Sequence, residues 1–144
     1  MLIVTQTTAG GAAPYRFPVR VRYSEVDRQG VVFNMWYLGW FDEAMTGFLD
    51  ARGVPYADLM AAGHDVQLVH TEVDWTGGVG FGDDVAVDVD VDRVGTTSFT
   101  LRFAVLRDGE PTATGRTTYV HIALDGTGKR PLSPGLRAAL TSGG

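Results

Sequence analysis

One short stretch of the sequence combines a carboxylate with the start of a long apolar segment. It runs from Tyr23 to Tyr37 and reads YSEVDRQGVVFNMWY. Asp27 lies among loop-forming residues, and Asn34 directly precedes a predicted helix. The first turn of a helix has four N–H groups without intrahelical partners and a partial positive charge. Such an end can hold a carbonyl oxygen as it becomes an oxyanion.

Asp27 has two chemical roles open to it if the loop folds back towards this helix end. A carboxylate that faces a polarised carbonyl can attack the carbon, or it can take a proton from the water that attacks. The structural alternative is a turn or a cap, and for the residue alone we weigh that alternative at about three to one over catalysis. Spacing by itself leaves both interpretations open.

The helix predicted beyond Asn34 covers Met35 to Ala51 and is dense in large apolar side chains. Its polar side chains share one narrow stripe, because residues three and four apart are neighbours on a helix. They are Asp42, Glu43, Thr46 and Asp50. We therefore expect other elements to wrap this helix. Asn34 is its predicted N-cap, and Arg52-Gly53 supplies a cation and a glycine stop.

Alternation of period two predicts strands in the rest of the chain. The predicted strands are Arg16–Glu25, Val66–Trp75, Asp84–Arg93, Ser98–Arg107 and about Thr112–Leu124. Asp108-Gly109 is a hairpin signal, and Asp125–Pro134 is predicted as a loop. Short helices are expected over Pro55–Ala62 and Leu136–Leu140. A strand, a long apolar helix and four further antiparallel strands together predict an α+β fold.

The aspartates of the third predicted strand indicate how the sheet meets its surroundings. Asp88, Asp90 and Asp92 alternate with valines, so one face of the sheet is expected to be wet. A sheet with one helix also leaves a strand edge open. Pairing of two copies edge to edge would remove that edge, and we expect a homo-oligomer.

Composition excludes several kinds of site. The chain has no cysteine, which rules out a disulfide scaffold, a cysteine-ligated zinc site, an iron–sulfur cluster and a thiol nucleophile. A net charge of −5 argues against nucleic-acid binding, which needs a basic surface. His64, His70 and His121 are scattered along the chain, whereas a metal needs three or four converging ligands. We expect no metal.

Targeting signals are also absent from the sequence. No apolar run reaches the roughly 18 residues of a membrane helix. The apolar start Leu2–Val4 is too short for a signal peptide and has no Lys or Arg before it. We therefore expect a cytoplasmic protein with no membrane partner. Residues 1–14 are predicted to be a flexible tail, and residues 15–141 a single domain.

The stretch from Tyr23 to Ala44 resembles a known family. It has the pattern Tyr-x-Glu-x-Asp-x-x-Gly-Val-Val-x-Asn-x-x-Tyr-x-x-x-Phe-Asp-Glu-Ala. This is similar to the 4-hydroxybenzoyl-CoA thioesterase family, the YbgC-like acyl-CoA thioesterases, and the likeness extends over roughly residues 16–133. The resemblance implies a hotdog fold, in which a curved antiparallel five-stranded sheet wraps one long central helix. It also implies a homodimer or homotetramer with the active site between subunits.

The resemblance assigns roles to individual residues. Asp27 matches the catalytic carboxylate, and the backbone N–H of Asn34 matches the group that polarises the thioester carbonyl. Tyr23 matches an aromatic side chain that lies near the carboxylate in some relatives. The substrate-binding candidates are Tyr23, Val32, Phe33, Tyr37, Val66 and Gln67, of which Val66 and Gln67 would come from the partner chain.

The chain departs from the family pattern at three places. Asn34 stands where some relatives have a histidine, and an amide cannot take a proton near neutral pH. The loop at residues 94–97 lacks the basic run of some relatives and has only Arg93 beside it, so the residues that would hold the coenzyme A phosphates are not assigned. Gly77-Gly78 replaces a typical Arg-Pro pair.

We therefore expect an acyl-CoA thioesterase that hydrolyses an acyl or aryl thioester to a carboxylic acid and a free thiol, with no cofactor beyond the coenzyme A thioester itself. One alternative is a non-catalytic protein that binds an acyl thioester or an acyl carrier protein. Another is a hotdog dehydratase or hydratase. That chemistry pairs a histidine with an acid near the helix, and no histidine lies between Arg16 and Gly63.

Overall fold

Valines alternate with other residues over positions 85–91 and form a strand, and their side chains all point to the buried face of the sheet. In the computed structural model, which describes residues 14–142, every strand pair is antiparallel. The elements are β1 (Tyr15–Val19), α1 (Trp36–Ala51), α2 (Tyr56–Ala61), β2 (His64–Trp75), β3 (Val85–Val94), β4 (Ser98–Arg107), β5 (Glu110–Ala123), β6 (Gly128–Lys129) and α3 (Pro134–Thr141). The sheet order is β1-β3-β4-β5-β2, with β6 paired to β5.

The predicted α+β order of elements is confirmed. β4 has the bounds expected from its alternation, and β2, β3 and β5 differ from expectation by one or two residues at their ends. The hairpin predicted at Asp108-Gly109 also forms. Both residues have positive φ, 52° and 85°, as a two-residue turn between twisted strands requires.

Three predictions about local structure are wrong. The first strand ends at Val19, not Glu25, because β3 begins at Val85, directly opposite Val19, and offers no partner beyond it. The chain then forms a 3₁₀ turn over Tyr23–Glu25. Asn34 does not cap the helix with its side chain, since α1 begins after Met35. The predicted loop at 125–134 contains the short strand β6, a sixth strand beside the five expected.

The long helix packs one face against the concave side of the sheet. Its buried side chains are Tyr37, Trp40, Phe41, Ala44, Met45, Phe48 and Leu49. Phe41 stacks on Phe103 of β4 with ring centroids 4.5 Å apart and planes at 6°. The Asp42 carboxylate of the polar stripe accepts a hydrogen bond of 2.9 Å from the hydroxyl of Tyr119. Burial together with this carboxylate raises the pKa of Tyr119, so the phenol stays neutral.

The other face of the sheet carries paired charges. The expected outward direction of Asp88, Asp90 and Asp92 is confirmed, and each carboxylate pairs with an arginine on a neighbouring strand. Arg16 donates from Nε to Asp88 at 2.7 Å, and Arg102 lies between Asp90 and Asp92. Hydrogen bonding from Arg116 lowers the pKa of Asp92. Asp92 therefore stays ionised and paired at neutral pH.

The predicted tail lies outside the described residues except for Pro14, which is exposed. Within residues 14–142, no helix is long and apolar enough to cross a membrane.

Gly115 lets α1 approach the sheet closely, so its replacement tests this packing. A Cβ at Gly115 would lie 2.6 Å from Phe41 and 3.1 Å from the backbone oxygen of Glu72. We expect Gly115→Ala to lower the free energy of unfolding by about 1–3 kcal/mol, the usual effect of overpacking. Gly77→Ala is the matched control, because its Cβ would lie 3.6 Å from the nearest side-chain atom. Equal stability of both variants in urea would contradict this packing.

Candidate active site

A small hairpin that contains Asp27 leads directly into α1. The N–H of Asp27 donates to the carbonyl of Val31 at 2.9 Å, Val26 forms a bridge with Val32, and the N–H of Phe33 donates to the carbonyl of Glu25 at 3.0 Å. The N–H of Val32 donates to the carbonyl of Val79 at 2.8 Å, and this bond connects the hairpin to the segment after β2. The hairpin is thus held from both sides.

Asp27 sits at the turn of this hairpin and is half-buried. Its Oδ1 accepts the N–H of Gln29 at 2.8 Å, and its carbonyl accepts the N–H of Gly30 at 3.1 Å. The structural role weighed for Asp27 is therefore present, because it forms an Asx turn. A carboxylate has two oxygens and about four acceptor sites, so this bond leaves most of its capacity available.

The entry to α1 offers backbone N–H groups near this carboxylate. The carbonyls of Phe33 and Asn34 accept the N–H groups of Trp36 and Tyr37 at 3.1 and 3.3 Å. No acceptor in residues 14–142 takes the N–H of Asn34 or Met35. Asp27 pairs with Val31 in the hairpin, two residue pairs away from the pair of Glu25 and Phe33. The two pairs are therefore about 7 Å apart along the strand direction. The arrangement can hold a polar oxygen at the helix end with a carboxylate nearby.

The other predicted residues of this end fall into two groups. Val32 and Tyr37 are 3% and 1% exposed and belong to the core beneath the helix entry. Burial raises the pKa of Tyr37, so its hydroxyl is neutral and cannot act as a base. Phe33 and Tyr23 are exposed, at 47% and 82%. The Tyr23 ring lies against Phe81, with centroids 6.0 Å apart in an edge-to-face arrangement.

Val66 and Gln67 lie far from Asp27 within one chain. Trp75, at the opposite end of β2, contacts Tyr37 in the first turn of α1 with ring centroids 5.6 Å apart. Val66 is nine residues from Trp75 along the strand, or about 30 Å. One chain therefore does not bring Val66 or Gln67 to the helix entry.

Sequence reasoning missed Glu25, whose buried side chain stabilises the hairpin. Its side chain is 4% exposed, and its Oε1 accepts the N–H of Arg22 at 2.7 Å. Its backbone carbonyl binds Phe33, so Glu25 connects the segment before the hairpin with the segment after it. The spacing of three residues between Arg22 and Glu25 resembles a capping box and was the available signal.

The histidines form no metal site with acids in the described part of the chain. Among residues 14–142, no group of three or more His, Cys, Asp or Glu side chains could hold a metal ion. His64 and His121 lie together at the start of β2, with ring centroids 4.5 Å apart. His121 is fully buried, and its Nδ1 lies 3.0 Å from the carbonyl of Pro131.

Comparison with known proteins identifies the family. The family described as the thioesterase-like superfamily matches residues 21–140, which include the hairpin, α1 and the strands from β2 to β5. The chain belongs to the thioesterase-like superfamily. The predicted family, the hotdog fold and the enzyme class, a hydrolase of thioesters, are confirmed by this membership.

Individual proteins resemble the chain over most of its length. The 1,4-dihydroxy-2-naphthoyl-CoA hydrolase of Prochlorococcus marinus is 26% identical over 113 residues, 73% of this chain and 72% of that protein. A hypothetical protein of Aquifex aeolicus has the same fold, with a TM-score of 0.84, 22% identity and coverage of 89% of this chain and 100% of that one. A thioesterase of Thermus thermophilus in complex with coenzyme A and zinc has a TM-score of 0.75 at 26% identity, covering 90% of this chain and 94% of that one.

Glu25 gives a test of how the hairpin is held. Glu25→Ala removes the buried acceptor of the Arg22 N–H, and we expect the free energy of unfolding to fall by about 1–3 kcal/mol. Glu25→Gln keeps an oxygen in place and should restore most of the loss. Ser24→Ala, at the exposed neighbouring position, is the control. Urea denaturation measures all three, and a stable Glu25→Ala variant would contradict this role.

Proposed function

We propose that this superfamily member hydrolyses an acyl- or aryl-coenzyme A thioester at the entry to α1, with Asp27 as the catalytic residue. The observation that supports the proposal is the hairpin, whose turn contains the half-buried Asp27 and whose other end leads into backbone N–H groups that no acceptor in residues 14–142 occupies. A thioester carbonyl needs both parts. Its oxygen gains negative charge when the carbon is attacked, and its carbon needs a nucleophile.

In the first form of the mechanism, Asp27 acts as a general base. Its free carboxylate oxygen takes a proton from water, and the resulting hydroxide attacks the thioester carbon. The carbonyl oxygen becomes an oxyanion, to which the Asn34 N–H donates a hydrogen bond, aided by the positive end of α1. The C–S bond then breaks. The coenzyme A thiolate receives a proton, and the carboxylic acid leaves.

In the second form, Asp27 acts as the nucleophile. Its carboxylate attacks the thioester carbon and expels the thiolate, which leaves an anhydride between Asp27 and the acyl group. Water then cleaves the anhydride and regenerates the carboxylate. Both forms use the same oxyanion position at Asn34. Neither assigns a step to a metal or a redox cofactor.

The proposed site is completed by a second copy of the chain. β2 is one of the two edge strands of the sheet, and its exposed apolar side chains support burial against a partner. They are Leu68, Val69 and Trp75, at 39%, 54% and 43% exposure. Antiparallel self-pairing about the strand midpoint would set Val66 of the partner subunit opposite Val73, two residues from Trp75. Val66 and Gln67 would thereby reach the helix entry from across the interface.

The acyl group is proposed only as a class. Phe33 is exposed beside the helix entry, while Val32 and Tyr37 form its apolar floor, which suits an aromatic ring or a short apolar chain. The Prochlorococcus relative acts, by its name, on 1,4-dihydroxy-2-naphthoyl-CoA, and this aryl thioester is a first substrate to test. Release of free thiol distinguishes a hydrolase from a protein that only binds the thioester. The cytoplasmic location expected from the sequence remains a prediction.

Replacement of Asp27 tests the chemistry separately from the turn. In Asp27→Asn the amide oxygen can still accept the Gln29 N–H, but the side chain no longer acts as a base or as a carboxylate nucleophile. We expect turnover to fall at least about 100-fold with folding unchanged. Asp27→Ala also removes the turn acceptor, so it should lose stability as well as turnover. Thiol release from a panel of acyl- and aryl-CoA thioesters is the measurement, and wild-type turnover in Asp27→Asn would exclude Asp27 as the catalytic residue.

A charge on the β2 edge tests the second copy. Val69→Glu places a carboxylate in the proposed interface, so we expect the dimer to dissociate and thiol release to fall with it. Leu124→Glu is the control, because Leu124 is 45% exposed but lies on the β5 side of β2, where its N–H donates to the carbonyl of Gly63, and not on the free edge. Sedimentation velocity and thiol release are measured on the same samples. A wild-type chain that is active as a monomer would contradict this interface.

A further inference from the structure

A groove of about 560 Å³ runs beside the segment that leads into the hairpin. Arg20 and Arg22 lie along it, and the exposed aromatic pair of Tyr23 and Phe81 stands at one end. Trp40 of α1 is buried at the groove. The groove thus combines cationic side chains with aromatic faces open to solvent.

The two guanidinium groups of this groove are available to a ligand. Neither Arg20 nor Arg22 has a side-chain ion pair or hydrogen bond with any residue from 14 to 142, and both are exposed. Arg16, Arg102 and Arg116, by contrast, pair with carboxylates of the sheet. A guanidinium binds phosphate oxygens through two parallel hydrogen bonds.

Two acids also line the groove, and they limit what can bind there. The Oε1 of Glu25 already accepts the Arg22 N–H and is shielded from solvent. Glu43 on α1 is exposed, and a carboxylate there can accept hydrogen bonds from a ligand. A ligand with phosphates at one side and hydroxyl or amino donors at the other satisfies both signs of charge, and a flat ring can stack on Tyr23 or Phe81.

The groove lies within reach of the proposed catalytic residue. Asp27 is four positions after Tyr23, so the two Cα atoms are at most about 14 Å apart. In a coenzyme A thioester, the extended pantetheine arm separates the thioester from the adenosine phosphates. A nucleotide in the groove therefore leaves the arm free to cross this distance.

We propose that the groove binds the adenosine phosphate end of the coenzyme A thioester, with Arg20 and Arg22 holding phosphates and Tyr23 or Phe81 stacking on the base. The assignment rests on the proposed function, since it supplies the nucleotide subsite for that substrate. It also supplies phosphate contacts that the loop at residues 94–97 does not offer from its own residues, which include no Lys or Arg. Of the basic side chains near that loop, Arg93 precedes it and Arg137 already donates to the carbonyl of Gly95 at 2.8 Å.

A second groove, on the outer face of the sheet, also contains arginines, but they are already paired with acids and are therefore less suited to bind phosphate. That groove measures about 350 Å³ and also contains two arginines, Arg102 and Arg116. Both already pair with Asp92, so their charge is neutralised within the fold. A phosphate there would have to displace these carboxylates.

The test compares one acyl group on two carriers, coenzyme A and pantetheine, which lacks the nucleotide. In the double variant Arg20→Gln, Arg22→Gln, we expect the ratio of KM for acyl-CoA to KM for acyl-pantetheine to rise at least about tenfold, as loss of charge-assisted hydrogen bonds predicts. Lys129→Gln, an exposed charge change on β6, should leave both KM values unchanged. Arg93→Gln is the competing variant.

Direct binding separates this proposal from the proposed function. Adenosine 3′,5′-bisphosphate is titrated into the wild type and the double variant by calorimetry, and we expect at least about tenfold weaker binding to the double variant. If the wild type releases thiol from neither carrier, the proposed function fails, while that difference in binding still supports the groove. Equal binding to both proteins, or a KM ratio that changes in Arg93→Gln alone, overturns the groove assignment.

Discussion

The packing of Phe41 into the sheet is the contact on which the position of the site depends. Phe41 lies flat on Phe103, and Gly115 leaves room for its ring, so α1 approaches β4 and β5 closely at this point. The start of the same helix is then fixed relative to the sheet. The N–H groups at that start can serve chemistry only because the helix cannot slide, and a displacement of the helix would separate them from the hairpin.

The helices and strands could be predicted because the spacing of their apolar side chains shows which face of each element is buried. The alternation in β4 gave its bounds, and the apolar run after Asn34 gave α1 to within one residue. The end of β1 could not be predicted in this way. Val21 and Tyr23 continue the alternation, but β3 offers no partner strand beyond Val19, and this depends on a segment more than 60 residues away.

Asp27 and the helix start could be proposed from local sequence and the family resemblance, because both lie within one short stretch. Glu25 and the groove residues could not, since their roles depend on what surrounds them. The sequence does not show that a glutamate beside a loop is only 4% exposed in the folded chain. Nor does it show whether an arginine has an acidic partner. The pairings of Asp88, Asp90 and Asp92 were hidden in the same way, because each partner is on another strand.

The two glycines at positions 77 and 78 have a consequence for how this member could diverge from its relatives. The Cβ of any other residue at position 78 would lie 3.0 Å from the side chain of Val31, which sits opposite Asp27 in the hairpin. The bare backbone there is also held by Arg107, which donates to its carbonyl at 2.8 Å. A larger residue at position 78 would push the Val31 side chain aside by a few tenths of an ångström. The packing of the hairpin that carries Asp27 is thus adjustable from a connecting segment that contains none of the proposed reacting groups.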